Sequence, residues 1–215
     1  MKNYGKLTAG LIAAWFLFAL IGSALDLFKN NSDRIGIAVA LAAGIPLLVF
    51  ALWFLVSPKF REFALSLNPQ ALTAVQVWRI IGFTFLVLEA RGVLPALFAF
   101  PAGYGDMFIG ATATLVAWKL ARPIHRTSFI LWQVLGITDL VTAVGLGTTA
   151  RLISPHSTPM GAMTVLPLSL IPTFLVPLFF IFHVICIAQA KTWNVSSALS
   201  GQPTGSALRT QSTAA

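Results

Sequence analysis

Arg79 and Asp139 are the residues of this 215-residue chain whose types and positions most suggest chemistry. Each lies inside a long apolar segment, where an ionised side chain is costly unless a partner, a wet cavity or a task compensates it. Arg79 stands eleven residues past Asn68, at a depth of ~16 Å, and Asp139 twelve residues past Thr127, at ~18 Å from the same face. A deep cation and a deep anion at matching height predict a buried ion pair, because either charge alone would be strongly disfavoured. Such a pair can clamp two helices together, or it can serve as a gate or as a counter-ion for a substrate.

Further polar residues extend this axis. Gln76, on the helical face of Arg79, lies with Gln133 and His183 toward the cytoplasmic side, and Glu89 and Asp106 lie near the outer boundary. Together they outline a discontinuous polar track, although Glu89 and Asp106 suit lipid headgroups and water equally well. Gln133 and Asp139 are six residues apart and so point roughly 120° apart on their helix. His183 is the only histidine inside a span, which excludes a bis-histidine haem within the bundle, and no deep lysine is available for a retinal Schiff base. No phosphate loop, metalloprotease motif or nucleophile elbow occurs, so no enzyme activity, cofactor or metal is expected. Cys186, the single cysteine, reads as a small buried hydrophobe.

Composition dictates what must position these groups. Apolar residues make up 57% of the chain and charged residues 9%, with a mean hydropathy of +0.86. A soluble domain needs roughly 25% charged residues to wet its surface. The solvent for most of this chain is therefore lipid, which excludes a soluble enzyme, a disordered protein and a disulfide scaffold. The net charge of +8 does not indicate a nucleic-acid partner, since the cations stand singly or in small groups between apolar segments.

About 20 apolar residues cross a hydrocarbon core of roughly 30 Å. Six segments qualify: 7–25, 35–56, 71–90, 102–120, 128–150 and 163–190. The expected fold is an all-α bundle of six transmembrane helices, with residues 192–215 a disordered cytoplasmic tail. The first segment, with Lys2 and Lys6 before it and Gly22-Ser23-Ala24 at its end, is longer than a signal-peptide core and reads as an uncleaved helix. Ser57–Leu67 carries Phe60, Phe63, Ala64 and Leu67 at helical spacing, which predicts a short interfacial helix on the cytoplasmic face. Asn68-Pro69 then supplies a cap and a first-turn proline for the third span. Gly92–Gly105 is apolar yet interrupted by Pro95, Pro101, Gly103 and Gly105, and is expected to be irregular and packed on protein or lining a vestibule. Pro167, Pro172 and Pro177 each remove an amide donor and bend the sixth span, freeing carbonyls that neighbours must satisfy.

Gly103-Tyr104-Gly105-Asp106 and Gly136-Ile137-Thr138-Asp139 share a Gly-x-x-Asp pattern, but the halves around them do not align, so no repeat is inferred. The stretch Phe100–Met107, followed by Gly110-Ala111, resembles a motif of the HupE/UreJ nickel permease family, which has His-Pro, Gly and Asp-His at similar spacing. Phe100 and Met107 stand where that motif has histidines, so the resemblance implies no nickel site here.

Two functional classes remain: a small transporter or channel for a small polar solute or proton, and a non-catalytic accessory or assembly subunit of a larger membrane complex. The lipid bilayer is the certain partner, and another membrane protein or a second copy is the alternative cover for the apolar faces. With the N-terminus in the cytoplasm, Lys2, Lys6, Lys59, Arg61, Lys119, Arg122, Arg126, Lys191 and Arg209 fall inside, against Lys29, Arg34, Arg91 and Arg151 outside. That excess fits the positive-inside rule and, with an even helix count, predicts both termini in the cytoplasm. The chain also resembles small bacterial membrane proteins in general, so its expected location is the cell (inner) membrane. Reporter fusions at Asn30, Asn68, Pro95, Pro123, His156 and Gln202 should alternate outside and inside. A cytoplasmic signal at Asn30 or Pro95 would refute this orientation.

Overall fold

The computed structural model describes residues 2–29, 37–153 and 160–193, and the regular elements among them are all helical. Seven helices follow in chain order. They are α1 (Lys2–Ala24), α2 (Ile37–Val56), α3 (Pro58–Leu65), α4 (Pro69–Ala90), α5 (Ala96–Lys119), α6 (Arg126–Ile153) and α7 (Ile171–Thr192). Five of them, all but α3 and α5, are both long and apolar enough to cross a membrane. The chain is thus a multi-pass, all-α membrane protein. The 24 residues of α5 also suffice in length, but Pro101, Gly103, Gly105, Asp106 and Gly110 make it less apolar.

Helices α4, α5, α6 and α7 pack on one another as the core, while α1 and α2 lean on its outside, chiefly against α7 and α3. None of the residues of α2 is buried. Two apolar clusters fill the core. Ile109, Ala113, Val116, Phe129, Trp132, Cys186 and Ala190 pack at the end nearer α3, and Phe85, Leu94, Phe98, Ala99, Ala102 and Met163 at the opposite end. The polar residues lie in the layer between.

Local signals explain the short helix and its junction. Ser57 caps α3 by accepting from the Phe60 amide at 3.3 Å. The Asn68 side chain accepts from the amides of Gln70 and Ala71 at 2.8 and 3.3 Å, starting α4 one residue later. Phe60 is buried, and its ring stacks on Trp53 at a centroid distance of 4.0 Å. The amide of Gln189 on α7 donates to the carbonyls of Ala64, Leu65 and Leu67, satisfying the end of α3.

Two expected boundaries need correction. The segment 92–105 is irregular only over residues 92–95: α5 begins at Ala96 and runs through Pro101. Phe98, Ala99, Ala102 and Gly103 are buried there, so packing against protein sustains the helix where its proline and glycines would end it in isolation. The sixth span, expected over 163–190, is helical in membrane-spanning length only over Ile171–Thr192. Residues before it form a short 3₁₀ helix (Met160–Thr164) and turns. Pro167 has no amide hydrogen and its ring disfavours α geometry at Leu166, and here, unlike at Pro101, helical winding does not continue across the proline. Segments 30–36, 154–159 and 194–215, including the first residues of the expected second span, His156 and nearly all the expected disordered tail, lie outside the described residues.

The prolines of α7 shape its first turn. Ile171–Leu175 is wound as a π-helix before the α-helix from Val176. Pro177 cannot donate to the carbonyl of Thr173, four residues back, and the indole nitrogen of Trp15 on α1 donates to that oxygen instead, at 3.0 Å. Trp15→Phe keeps an aromatic ring at this position and removes the donor together with part of the indole. It should cost about 1–3 kcal/mol of stability, the penalty for an orphaned buried carbonyl, read as a lowered melting temperature in detergent.

Candidate functional site

The middle of α4 is built unusually, and this is what presents Arg79. Residues Val75–Gly82 are wound as a 3₁₀ helix between two α-helical ends. With three residues per turn, positions three apart eclipse one another. Thr73, Gln76, Arg79, Gly82 and Phe85 accordingly form one buried line down the helix, whereas an α-helix would rotate them progressively off it.

Arg79 is 3% exposed and is held by three other helices. Its Nε donates to Asp106 on α5 at 2.7 Å, and its Nη2 donates to Asp139 on α6. Nη1 faces the Gly136 carbonyl and the Nε2 atom of His183 on α7, at 3.4 and 3.3 Å. A buried network of one guanidinium and two carboxylates therefore joins α4, α5 and α6, with a histidine from α7 completing the ring. Asp106, which the sequence left near the outer boundary, belongs to it.

Donor logic propagates from the arginine. A guanidinium can only donate, so His183 Nε2 must accept and Nδ1 must carry the hydrogen. Nδ1 then donates to Gln133 Oε1, which turns the Gln133 amide nitrogen toward Thr73 Oγ1 at 3.0 Å. The Thr73 hydroxyl lies 3.8 Å from Cys186 Sγ. This chain, Arg79–His183–Gln133–Thr73–Cys186, runs from the ion cluster toward the α3 end of the bundle and is buried throughout.

Gly136 reconciles the divergence of Gln133 and Asp139. It sits midway between them on α6, and a Cβ there would meet the His183 ring at 2.3 Å. His183 lies over this bare backbone, with Gln133 on one side and Asp139, reaching Arg79, on the other. Gly105 plays the matching part on α5, where a Cβ would fall 1.6 Å from Asp139 Oδ1.

The remaining expected site residues stand apart. Gln76 is buried but does not reach Arg79. Its amide donates to the Phe179 carbonyl at 3.4 Å, and its oxygen has no hydrogen-bond partner among the described residues. Glu89 is only half-buried near the far end of α4, away from the cluster. Thr73 was overlooked in the sequence; the three-residue spacing Thr73, Gln76, Arg79 was its available signal.

A cavity of about 50 Å³ borders the cluster. Arg79 and Asp106 are the charged residues in its wall, and the rest is largely apolar, including Phe85, Ile171, Leu175 and Phe179. The 3₁₀ segment of α4 and the π turn of α7 face each other across it. A space of this size admits a few water molecules, and Asp106 gives them a polar partner.

Because Arg79 has two anionic partners, the variants should not be equivalent. Arg79→Ala leaves both carboxylates uncompensated and should cost at least about 3–5 kcal/mol, seen as loss of monodisperse protein or a sharply lower melting temperature. Asp139→Asn leaves a one-to-one Arg79–Asp106 pair and should be much milder. Equal losses in the two variants would show that Asp106 does not compensate the arginine.

No curated protein and no solved structure matches this chain. Residues 36–190 match the model of a family described as "Domain of unknown function (DUF8737)", a stretch that contains Arg79, Asp106, Asp139 and His183 and leaves out α1. The chain belongs to that family.

Proposed function

We propose that this protein passes a small polar solute or a proton across the bilayer, with Arg79, Asp106 and Asp139 as the charged centre of the path. The observation that carries the reading is the contact between a buried charge cluster and a cavity. A clamp serving packing alone is most favourable when its charges balance and every polar atom is hydrogen-bonded within the protein. This one has more acid than base and has Asp106 beside open space. In this reading six helices cross a bacterial inner membrane, α5 among them, with both termini and α3 on the cytoplasmic side. His183, Gln133, Thr73 and Gln76 line the approach from the cytoplasm, and Glu89 stands toward the outer mouth.

A second reading, a non-catalytic accessory or assembly subunit, is favoured by α2. None of its residues is fully buried, and the face turned away from α3 and α7 is available to lipid or to a partner helix.

One preparation separates the two. Purified in mild detergent and reconstituted in liposomes, the wild-type protein should move protons or a small polar solute, and Arg79→Gln should reduce flux to that of empty liposomes. A stoichiometric co-purifying membrane protein together with no flux would replace the first reading by the second.

A further inference from the structure

The charge count of the cluster does not close. Arg79 brings one positive charge and meets Asp106 and Asp139, whose side chains are 16% and 13% exposed. His183, the other titratable group facing Arg79, accepts from the guanidinium and so adds no charge. Among the described residues the neighbouring helices supply no second cation at this level: the lysines and the other arginines with placed side chains lie at the ends of the long helices, in α3 or in the connections. With both carboxylates ionised, the layer between the two apolar clusters would hold a net negative charge in a low-dielectric setting, which is heavily penalised.

Three kinds of ligand could neutralise it. A hard metal cation needs six or more oxygen ligands, and here two carboxylates are already engaged by the guanidinium beside largely apolar walls. Among the described residues no group of three or more His, Cys, Asp or Glu is placed to hold a metal ion. An organic cation would have to compete with the guanidinium, since both carboxylates are already engaged by Arg79 and only Asp106 faces the cavity. A proton needs only a carboxyl oxygen and a route to water. Asp106 uses Oδ1 for Arg79, which leaves Oδ2 for a proton, and it borders the cavity, where there is room for water to stand beside it.

We infer that the Arg79–Asp106–Asp139 cluster binds one exchangeable proton, shared by the two carboxyl groups and taken up or released through the cavity at Asp106. This inference rests on the proposed transport reading and names its ligand. The proton balances the second carboxylate while it is bound. When it leaves, one uncompensated negative charge remains beside Arg79, and the cluster is drawn either to reprotonate or to rearrange.

Infrared difference spectroscopy of the wild-type protein in lipid reads this directly. At neutral pH a protonated-carboxyl C=O band should be present, should shift in D₂O, and should shift again when aspartate is isotopically labelled at its side-chain carboxyl carbon. Raising the pH should abolish the band and lower the melting temperature, because deprotonation leaves the buried charge unbalanced. In Asp106→Asn the remaining pair is one-to-one, so both the band and the alkaline loss of stability should disappear. Glu89→Gln should keep both. Absence of the band in the wild type, or its persistence in Asp106→Asn and Asp139→Asn alike, would overturn the inference, and the labelled wild-type spectrum decides even if a variant fails to fold. A band without proton flux in liposomes would remove the transport reading and leave the bound proton standing. Flux without a band would do the reverse.

Discussion

A guanidinium with 3% exposure in the middle of a membrane bundle has to be neutralised, and much of this structure is the means of doing so. The anions come from two different helices, which fixes the height of α5 and α6 relative to α4. The third nitrogen needs an acceptor, which fixes α7 through His183. Short distances between these helices are required, and they are obtained where backbone meets backbone or side chain without an intervening Cβ. A Cβ on Gly110 would come within 2.4 Å of the Ile80 amide nitrogen. In lipid, where apolar contact alone gives little preference for one helix neighbour over another, close approach and polar links of this kind determine the arrangement.

The helical class and the placement of Arg79 and Asp139 within long apolar segments were legible from composition and spacing. Asn68 and Ser57 likewise announced the starts of α4 and α3, because capping depends on a residue and its nearest neighbours. What could not be read depended on contacts distant in sequence. Pro101 and the glycines around it carry a strong local signal against helix, and only burial against α4 and α6 overrides it. Pro167 carried the opposite error: a sufficiently apolar stretch was extended across a proline at which the helix is in fact interrupted.

Asp106 is the more instructive case. Its distance from the expected start of the fourth span placed it near the headgroups, and the early start of α5 at Ala96 lowered it by about a turn and a half. The Gly-x-x-Asp pattern shared with Asp139 was visible, yet the surrounding sequence offered no reason to connect the two. Both aspartates end on one arginine. In each motif the glycine lies one turn before the acid and on nearly the same face, where it lets another helix come close: Gly103 against Leu86, and Gly136 against His183. The pattern reflects a shared local geometry and does not require duplicated halves.

The 3₁₀ winding of Val75–Gly82 makes α4 a wound spring with the arginine fastened to its middle. A 3₁₀ helix turns about 120° per residue and an α-helix about 100°. Relaxing the five residues from Val75 to Arg79 to α geometry would therefore swing the guanidinium by about 100° around the helix axis. Over the full eight residues the same change would shorten α4 by roughly 4 Å. Rotation and shortening are coupled in such an element, as in a screw. The two aspartates hold the arginine at the 3₁₀ setting of that screw, so the winding of one helix and the charges carried by two others are settings of a single device.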